Sequence, residues 1–468
     1  MVGSVAAGNI LLSAAILTSG VNIRKFINAL AFINVSTISY NTFFSHQRRY
    51  LQPAIVDVWN QQQASVLSDM ESSGVDAVLG TDMRADSMGH SAKYGCYSVL
   101  ELNQGKVLHI EHIQKSETDF KSPLMEKEGL VRTVAWLDSK NIKISTIVTD
   151  RHRQISKYIR ENLCPRGVNH YYDVWHFAKG LKKKLNTASN STGKGAIKDW
   201  IQGIVNNVYW VAASTPDGDG DLMLAKFSSI INHVMNVHHH DNRLFPKCAH
   251  GELPQRKWIQ PGSAPATGIA EILDSTWVRK DVRMLSPCMQ TSAVESFHAL
   301  INQYAPKMHA FSYEGMLCRI YLAALHFNEN ANRVQALDKH GSPAFSIYFP
   351  RAKQPTGGYS VRKVLVKSSY NFSKAIIAKV LDLCEAGQDT REEYPQLKSN
   401  PGPLTARVTR PDKSQAIGAF VSRFGLHVEP VGRPEGCKDV TEPVSLKVHK
   451  RTTVEEGEGS SRPKYSKN

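Results

Sequence analysis

Two apolar runs of strand length, each ending on an aspartate, constrain this chain more than any other feature. Val75-Asp76-Ala77-Val78-Leu79-Gly80-Thr81-Asp82 and Ile142-Lys143-Ile144-Ser145-Thr146-Ile147-Val148-Thr149-Asp150 read as buried strands with a polar terminus. Each run puts a carboxylate at a strand end, where it can face a divalent cation. A third acid, Glu295, opens a helical pattern. Val294, Phe297, Ile301 and Tyr304 keep a 3, 4, 3 spacing for the core and leave Glu295, His298 and Asn302 on the adjoining face.

The order of elements around these acids predicts a mixed sheet covered on both faces. After the Asp82 strand, Tyr94 to Leu102 and Val107 to Gln114 flank the turn Asn103-Gln104-Gly105-Lys106, a hairpin signal. A helix over Leu124 to Ser139, the Asp150 strand, a helix through Ile155 to Leu163 and a short aromatic strand at Asn169 to Asp173 follow. The fold class expected is α/β: an RNase H-like mixed sheet with a large helical insertion, preceded by a small all-helical domain. Residues 1–72 form the helical region, 74–190 the first part of the core, 191–286 the insertion, 287–387 the end of the core with the Glu295 helix, and 388–468 a disordered basic tail.

Within the first region, Gly20 closes one helix, Ile23 to Phe32 forms a second, Ser39 to Arg49 a third, and Pro53 opens a longer fourth. Ser45-His46-Gln47-Arg48-Arg49-Tyr50 reads either as the basic reading helix of a helix-turn-helix or as a prop against the next domain. Helical patterning over Asp199 to Val211 and Leu222 to His238 marks the insertion. Its Asp217-Gly218-Asp219-Gly220-Asp221 lacks the glycine and glutamate of a calcium loop and reads as a helix-capping turn. Tyr313 to Asn330 and Ser373 to Glu385 are the last helices expected.

Composition narrows the partners. Fifty-seven lysines and arginines against 42 acids give +15 over 468 residues, a balance that favours a polyanion such as DNA over an acidic small molecule. Seven cysteines without paired CxxC spacing argue against a disulfide scaffold and for a reducing compartment, nuclear or cytosolic. The run from Ala6 to Leu17 has no basic flank, is broken by Asn9 and Ser13, and reads as a short buried helix rather than a signal peptide. No other segment approaches the about 20 apolar residues that cross a bilayer, so no membrane partner is expected. The sequons at Asn34, Asn190 and Asn371 are then incidental.

Carboxylates at Asp82, Asp150 and Glu295 suit a phosphodiester-processing site. Enzymes of that kind hold two divalent ions about 3.5 to 4 Å apart, one activating the nucleophilic oxygen and one stabilising the leaving oxygen. Mg²⁺ or Mn²⁺ calls for hard oxygen ligands, hence carboxylates. Asp82, the more central, would bridge both ions, with Asp150 completing one and Glu295 the other. Polar neighbours flank each acid: Met83 to His90 after Asp82, Arg151-His152-Arg153 after Asp150, and His298 beside Glu295.

The blocks Asp82 to Gly95, Ile147 to His152, Tyr172-Asp173-Val174-Trp175-His176 and Ser292 to His298 resemble, in that order, the catalytic blocks of eukaryotic cut-and-paste DNA transposases with a DDE triad. Asp173-x-x-His176 looks like the accessory motif of Mutator-like and Kolobok-like superfamilies. The resemblance spans roughly residues 8 to 385. It implies metal-dependent cleavage of double-stranded DNA at terminal inverted repeats, followed by attack of the freed 3′-hydroxyl on target DNA, in a nuclear protein that oligomerises on DNA. Asp82, Asp150 and Glu295 would be catalytic, and Asp173, His176 and His298 accessory. No N-terminal zinc-dependent DNA-binding domain is seen, which leaves open a truncated or domesticated copy that binds DNA without cutting.

Further residues carry alternative readings. Lys179, Lys182, Lys183 and Lys184 share one helix, and with Arg48 and Arg49 they either neutralise phosphates or form solvated faces. His233, His238, Cys248 and His250 have the chemistry of a structural Zn²⁺ site, although a histidine run is also a common surface feature.

Overall fold

The computed structural model describes residues 1–420, apart from 89–90, 288, 351–357, 388, 398–399, 403, 405–408 and 410. The chain divides into a unit spanning 1–407 and a unit spanning 408–468.

The first unit opens with α1 (Ala7–Thr18) and α2 (Ile23–Phe32), followed by α3 (Tyr40–His46) and α4 (Gln52–Ser73). Gly20 ends the first helix at φ 77°, a conformation open to residues without a Cβ. No turn separates α3 from α4, in contrast to the two-helix expectation. The residues Gln47–Leu51 wind as a π-turn between them. Pro53 supplies the reason: it has no N–H and its ring would strike the carbonyl four residues back. The wider turn, with the Gln52 N–H on the Gln47 carbonyl, accommodates it. Arg48 and Arg49 therefore ride on a continuous helical run.

Next come β1 (Ala77–Ala85), β2 (Tyr94–Glu101), β3 (Lys106–Gln114), α5 (Met125–Ser139), β4 (Ile144–Thr149), α6 (Arg153–Tyr158) and β5 (Asn169–Tyr172). They build a mixed five-stranded sheet in the order β3-β2-β1-β4-β5. The first three strands pair antiparallel and β1-β4-β5 pair parallel. The two kinds of pairing reflect the connections: a tight turn joins β2 to β3, whereas helices cross over before β4 and β5. β1 also runs three residues past Asp82, because its outer half pairs with β2 up to Ala85 opposite Gly95. Asp82 thus lies within a strand rather than at its end, although its pairing with β4 stops at Gly80.

The remaining helices are α7 (Val174–Ser189), α8 (Ile197–Ala213), α9 (Gly220–His233), α10 (Ala264–Leu273), α11 (Thr276–Val282), α12 (Ser292–Tyr304), α13 (Tyr313–Glu329) and α14 (Asn371–Ala386). A hairpin of β6 (Phe345–Tyr348) and β7 (Ser360–Lys363) precedes α14. Asp219 caps α9 through the Asp221 and Leu222 N–H groups. The helix α9 stops at His233, five residues before the end its pattern suggested, since Asn236 turns left-handed at φ 62°. The second unit's α15 (Lys413–Gly418) is exposed.

Side-chain alternation splits the sheet between two cores. Tyr97, Val99 and Leu108 face α5 and the end of α4, and Gly129 lets α5 lie directly on the Tyr97 ring. Cys96, Leu100, Val107 and Ile110 face the other way, into a core shared by α1, α4, α12, α13 and α14. A third core holds α7 to α11 together around Phe177, Ile204 and Phe227. The tail expected from 388 onward does not begin there. Tyr394 and Leu397 are buried against the second core and Tyr394 donates to Asp57 at 3.2 Å, because two apolar side chains give this stretch something to bury. Residues 421–468, where the rest of that tail lies, are outside the described residues.

One buried cation locks β1 to α12. The Arg84 guanidinium, 4% exposed, donates to Asn302 Oδ1 at 2.7 Å and the Ala305 carbonyl at 2.9 Å. Arg84→Met should destabilise the fold by about 1–3 kcal/mol, the cost of leaving the buried Ala305 carbonyl without its charged donor, while the exposed Asn302 can turn to water. Denaturant unfolding of the two proteins measures it.

Candidate functional site

Sheet register brings three aspartates into one row. Gly80 pairs with Val148, the last pair of these parallel strands, and Asp82 and Asp150 follow two residues on along each chain, near enough for the Asp82 charge to raise the Asp150 pKa. Thr149 pairs with Tyr172, and the next step sets Asp150 beside Asp173. Adjacent strands lie about 4.8 Å apart, which crowds like charge at this edge. Asp82 is opposite Ser98 on β2, and both turn toward α12. There His298 meets them, with Nδ1 3.4 Å from the Asp82 carboxylate and Nε2 2.9 Å from Ser98 Oγ.

Asp173 determines where two helices start. Its carboxylate caps α7 by accepting from the His176 N–H at 3.0 Å, and its other oxygen accepts from the Thr291 N–H, at the head of α12, at 2.9 Å. The chain reaches that point because the segment after α11 returns alongside β5, where the Tyr172 N–H donates to the Met284 carbonyl and the Ser286 N–H to the Tyr172 carbonyl. Glu295, one turn into α12, then faces His176, whose Nε2 is 3.4 Å from its carboxylate and whose Nδ1 is 3.2 Å from Asp173. Asp173 therefore registers His176 and Glu295 against the strand ends.

The electrostatics follow from burial and crowding. Burial raises the Asp150 pKa, and Asp82 adds to it; the His152 N–H and the imidazoles of His176 and His152 oppose. Burial also works against ionised Asp173, but the donors on His176 and Thr291 outweigh it, so its pKa is lowered. The Asp173 hydrogen bond raises His176 above an ordinary histidine against the pull of burial, helped by the charges of Asp173, Glu295 and Asp150.

A fifth carboxylate belongs to this cluster, and sequence reading missed it. Glu126, in the first turn of α5, is pushed up to about 8 by burial and then by the charges of Asp150 and Asp82. Its Oε2 lies 3.7 Å from His152 Nδ1. Acids in a first helical turn ordinarily answer the helix dipole, so Glu126 and Glu128 looked alike in sequence. Above the usual glutamate pKa the unfolded chain releases this proton while the folded one keeps it, so folding stability falls as pH rises to about 8. In metal-free protein Glu126→Gln should flatten that fall, by up to about 1.4 kcal/mol per pH unit. Urea midpoints between pH 5 and 8 test it.

The predicted DNA-contacting cations divide. Lys179, Lys182, Lys183 and Lys184 are exposed on α7, the first three away from Phe177 and Lys184 on the side of Phe177. Lys179 sits 4.3 Å over the Trp175 ring and Lys184 3.5 Å over Trp277. Arg48 and Arg49 are also exposed, and Arg49 reaches the Gly387 carbonyl at 3.4 Å. Lys184 belongs to a cleft of about 690 Å³ that the sequence did not reveal. Arg151, Arg153, Lys157 and Arg160 share its wall with Trp277, and Asp281 pairs with Arg151 at 2.5 Å. The cleft starts one residue after Asp150.

Among the described residues, the group of three or more His, Cys, Asp or Glu side chains close enough to share an ion is His233, His238, Cys248 and His250. Asp82, Asp150 and Glu295 are not gathered that tightly, and His176 holds Glu295 on its own side. Their donors are all carboxylate oxygens, the kind Mg²⁺ or Mn²⁺ takes one or two at a time while keeping water and substrate phosphate as its other ligands. In the described residues no helix is long and apolar enough to cross a membrane. No known family model matches the chain, and no curated protein matches it.

Proposed function

We propose that this chain is a DDE-type DNA transposase on an RNase H-like core, with the α7–α11 bundle as a helical insertion before the final glutamate. It cleaves and joins DNA strands at transposon ends. The observation that carries the reading is the row of Asp82 and Asp150 on neighbouring parallel strands with the Glu295 helix anchored beside it through Asp173. Asp82 and Asp150 would hold Mg²⁺ or Mn²⁺ from the strand ends, and Glu295 from α12. Two such ions, when bound, polarise the attacking and leaving oxygens of the phosphodiester.

The chain's own residues do the rest. His298 orients Asp82, and Asp173 and His176 position Glu295 without holding metal. The cationic cleft beside Asp150 suits a DNA backbone, with Trp277 offering an apolar wall. A nuclear protein that binds terminal repeats and target DNA as a homo-oligomer fits this chemistry and the charge of +15.

A second reading, a transposase-derived protein that binds DNA without cutting, draws on the pairing of Glu295 with His176 at 3.4 Å, which engages the glutamate with an imidazole in place of a metal ion. One experiment separates the two. The chain is incubated with Mg²⁺ or Mn²⁺ and linear DNA carrying the inverted repeats that flank its gene. Metal-dependent nicks at the repeat ends, absent with Glu295→Ala, support the transposase. Binding without nicks supports the second reading.

A further inference from the structure

At the end of α9 the chain doubles back in a short hairpin, and four side chains converge beneath it. His239 bridges antiparallel to Lys247, the Cys248 N–H bonds the His238 carbonyl at 3.0 Å, and the His240 N–H bonds the Pro246 carbonyl at 2.8 Å. The hairpin carries His238 and Cys248, α9 ends on His233, and His250 follows two residues after the cysteine. The ligand atoms of His233, His238, Cys248 and His250 all lie within 4.8 Å of one another.

From this geometry we infer a structural zinc site. Zinc takes nitrogen at about 2.0–2.1 Å and thiolate at about 2.3 Å in a tetrahedron, so its N···N edge is about 3.3 Å and its N···S edge about 3.6 Å. His233 Nδ1 lies 3.3 Å from His250 Nε2 and 3.7 Å from Cys248 Sγ. His238 completes the set, and closing the remaining separations, none above 4.8 Å, to a zinc tetrahedron takes at most about 1.5 Å.

The surroundings orient His238, His250 and Cys248 toward the centre. His238 Nε2 meets Asn236 Oδ1 at 3.0 Å, which leaves Nδ1 as the free lone pair, and that Nδ1 is buried with no hydrogen-bond partner. His250 Nδ1 meets the Gly251 carbonyl at 2.7 Å, which turns Nε2 inward. A ring N–H held by an oxygen acceptor is the usual outer support of a zinc-bound imidazole. His240 stands outside the tetrahedron. Asn232 Nδ2 is 3.3 Å from its Nδ1, so Nε2 is free to donate to Cys248 Sγ at 3.2 Å and to stabilise a thiolate. Trp258 covers His233 and His238, and Trp200 covers His233.

Between Val234 and Ile259 few apolar side chains are buried, so the ion would staple a stretch that the α7–α11 core does not hold. The inference stands apart from the cleavage reading, since metal content can be measured on protein that never cuts DNA. The full chain, without a histidine tag, is desalted after incubation with Zn²⁺ and analysed by atomic emission. One zinc per chain is expected, and Cys248→Ser should lose it while His239→Ala keeps it. Cobalt loaded into the wild-type protein should show intense tetrahedral absorption and a thiolate charge-transfer band, a readout that survives if a variant fails to fold. Zinc far below one per chain, or cobalt with weak octahedral absorption and no thiolate band, overturns the site.

Discussion

Replacing Asp150 with alanine is expected to abolish DNA cleavage while leaving DNA affinity unchanged or higher. Asp150 is the carboxylate that crowds most directly on its neighbours: it sits beside Asp82 by register and adds to the electrostatic load on Glu126. If it shares a divalent ion with Asp82, its loss removes several kcal/mol of charge stabilisation from the transition state, or about 10³-fold in rate. On the proposed reading affinity should hold, because contacts to the DNA backbone would come from Arg151, Arg153, Lys157 and Arg160 in the cleft, none of which is touched. Removing a negative charge beside that cleft can only favour a polyanion. Asp82→Ala and Glu295→Ala should behave alike. Cleavage and filter-binding assays at matched salt decide the matter, and variants that cut as well as the wild type would end the metal-site assignment.

Asp173→Ala should be the most destabilising single change near the site, by about 2–4 kcal/mol. That range combines the loss of an N-cap, about 1 kcal/mol, with a buried Thr291 N–H left without a partner, about 1–3 kcal/mol. Asp173 is 1% exposed, so water cannot take its place. Asp173→Asn keeps an acceptor oxygen for each role in turn and should cost less. The pH dependence has a definite sign. The folded pKa of Asp173 is lowered, so its contribution is present above the usual aspartate pKa of about 3.9 and is lost as pH falls through the folded value. The gap between wild type and Asp173→Ala in thermal unfolding should therefore be widest near neutral pH and shrink in acid.

Both predictions turn on residues visible in the sequence, yet for different reasons. The strands at β1 and β4, the β2–β3 hairpin and helices α5, α7, α8, α12 and α13 could be read because apolar spacing is a local signal, set by periods of 2 and 3.6 within a dozen residues. Exposed strands and the shortest helices were not legible. The β6–β7 hairpin is exposed along β6, and α11, with 7 residues, is too short to establish a period. The π-turn before Pro53 and the docking of Tyr394 and Leu397 depend on what lies opposite in space.

The candidate site divides along the same line. Sequence alone determined that Asp82, Asp150 and Glu295 sit on two strands and a helix, that basic residues follow Asp150, and that His233, His238, Cys248 and His250 fall close along the chain. Only the tertiary structure decided that parallel register sets Asp82 beside Asp150, that Asp173 ties the heads of α7 and α12, that Glu126 joins the acids, and that His238 Nδ1 turns inward without a partner. The physical reason is range: backbone periodicity is decided by neighbours in sequence, whereas charge crowding, burial and ligand geometry are decided by neighbours in space.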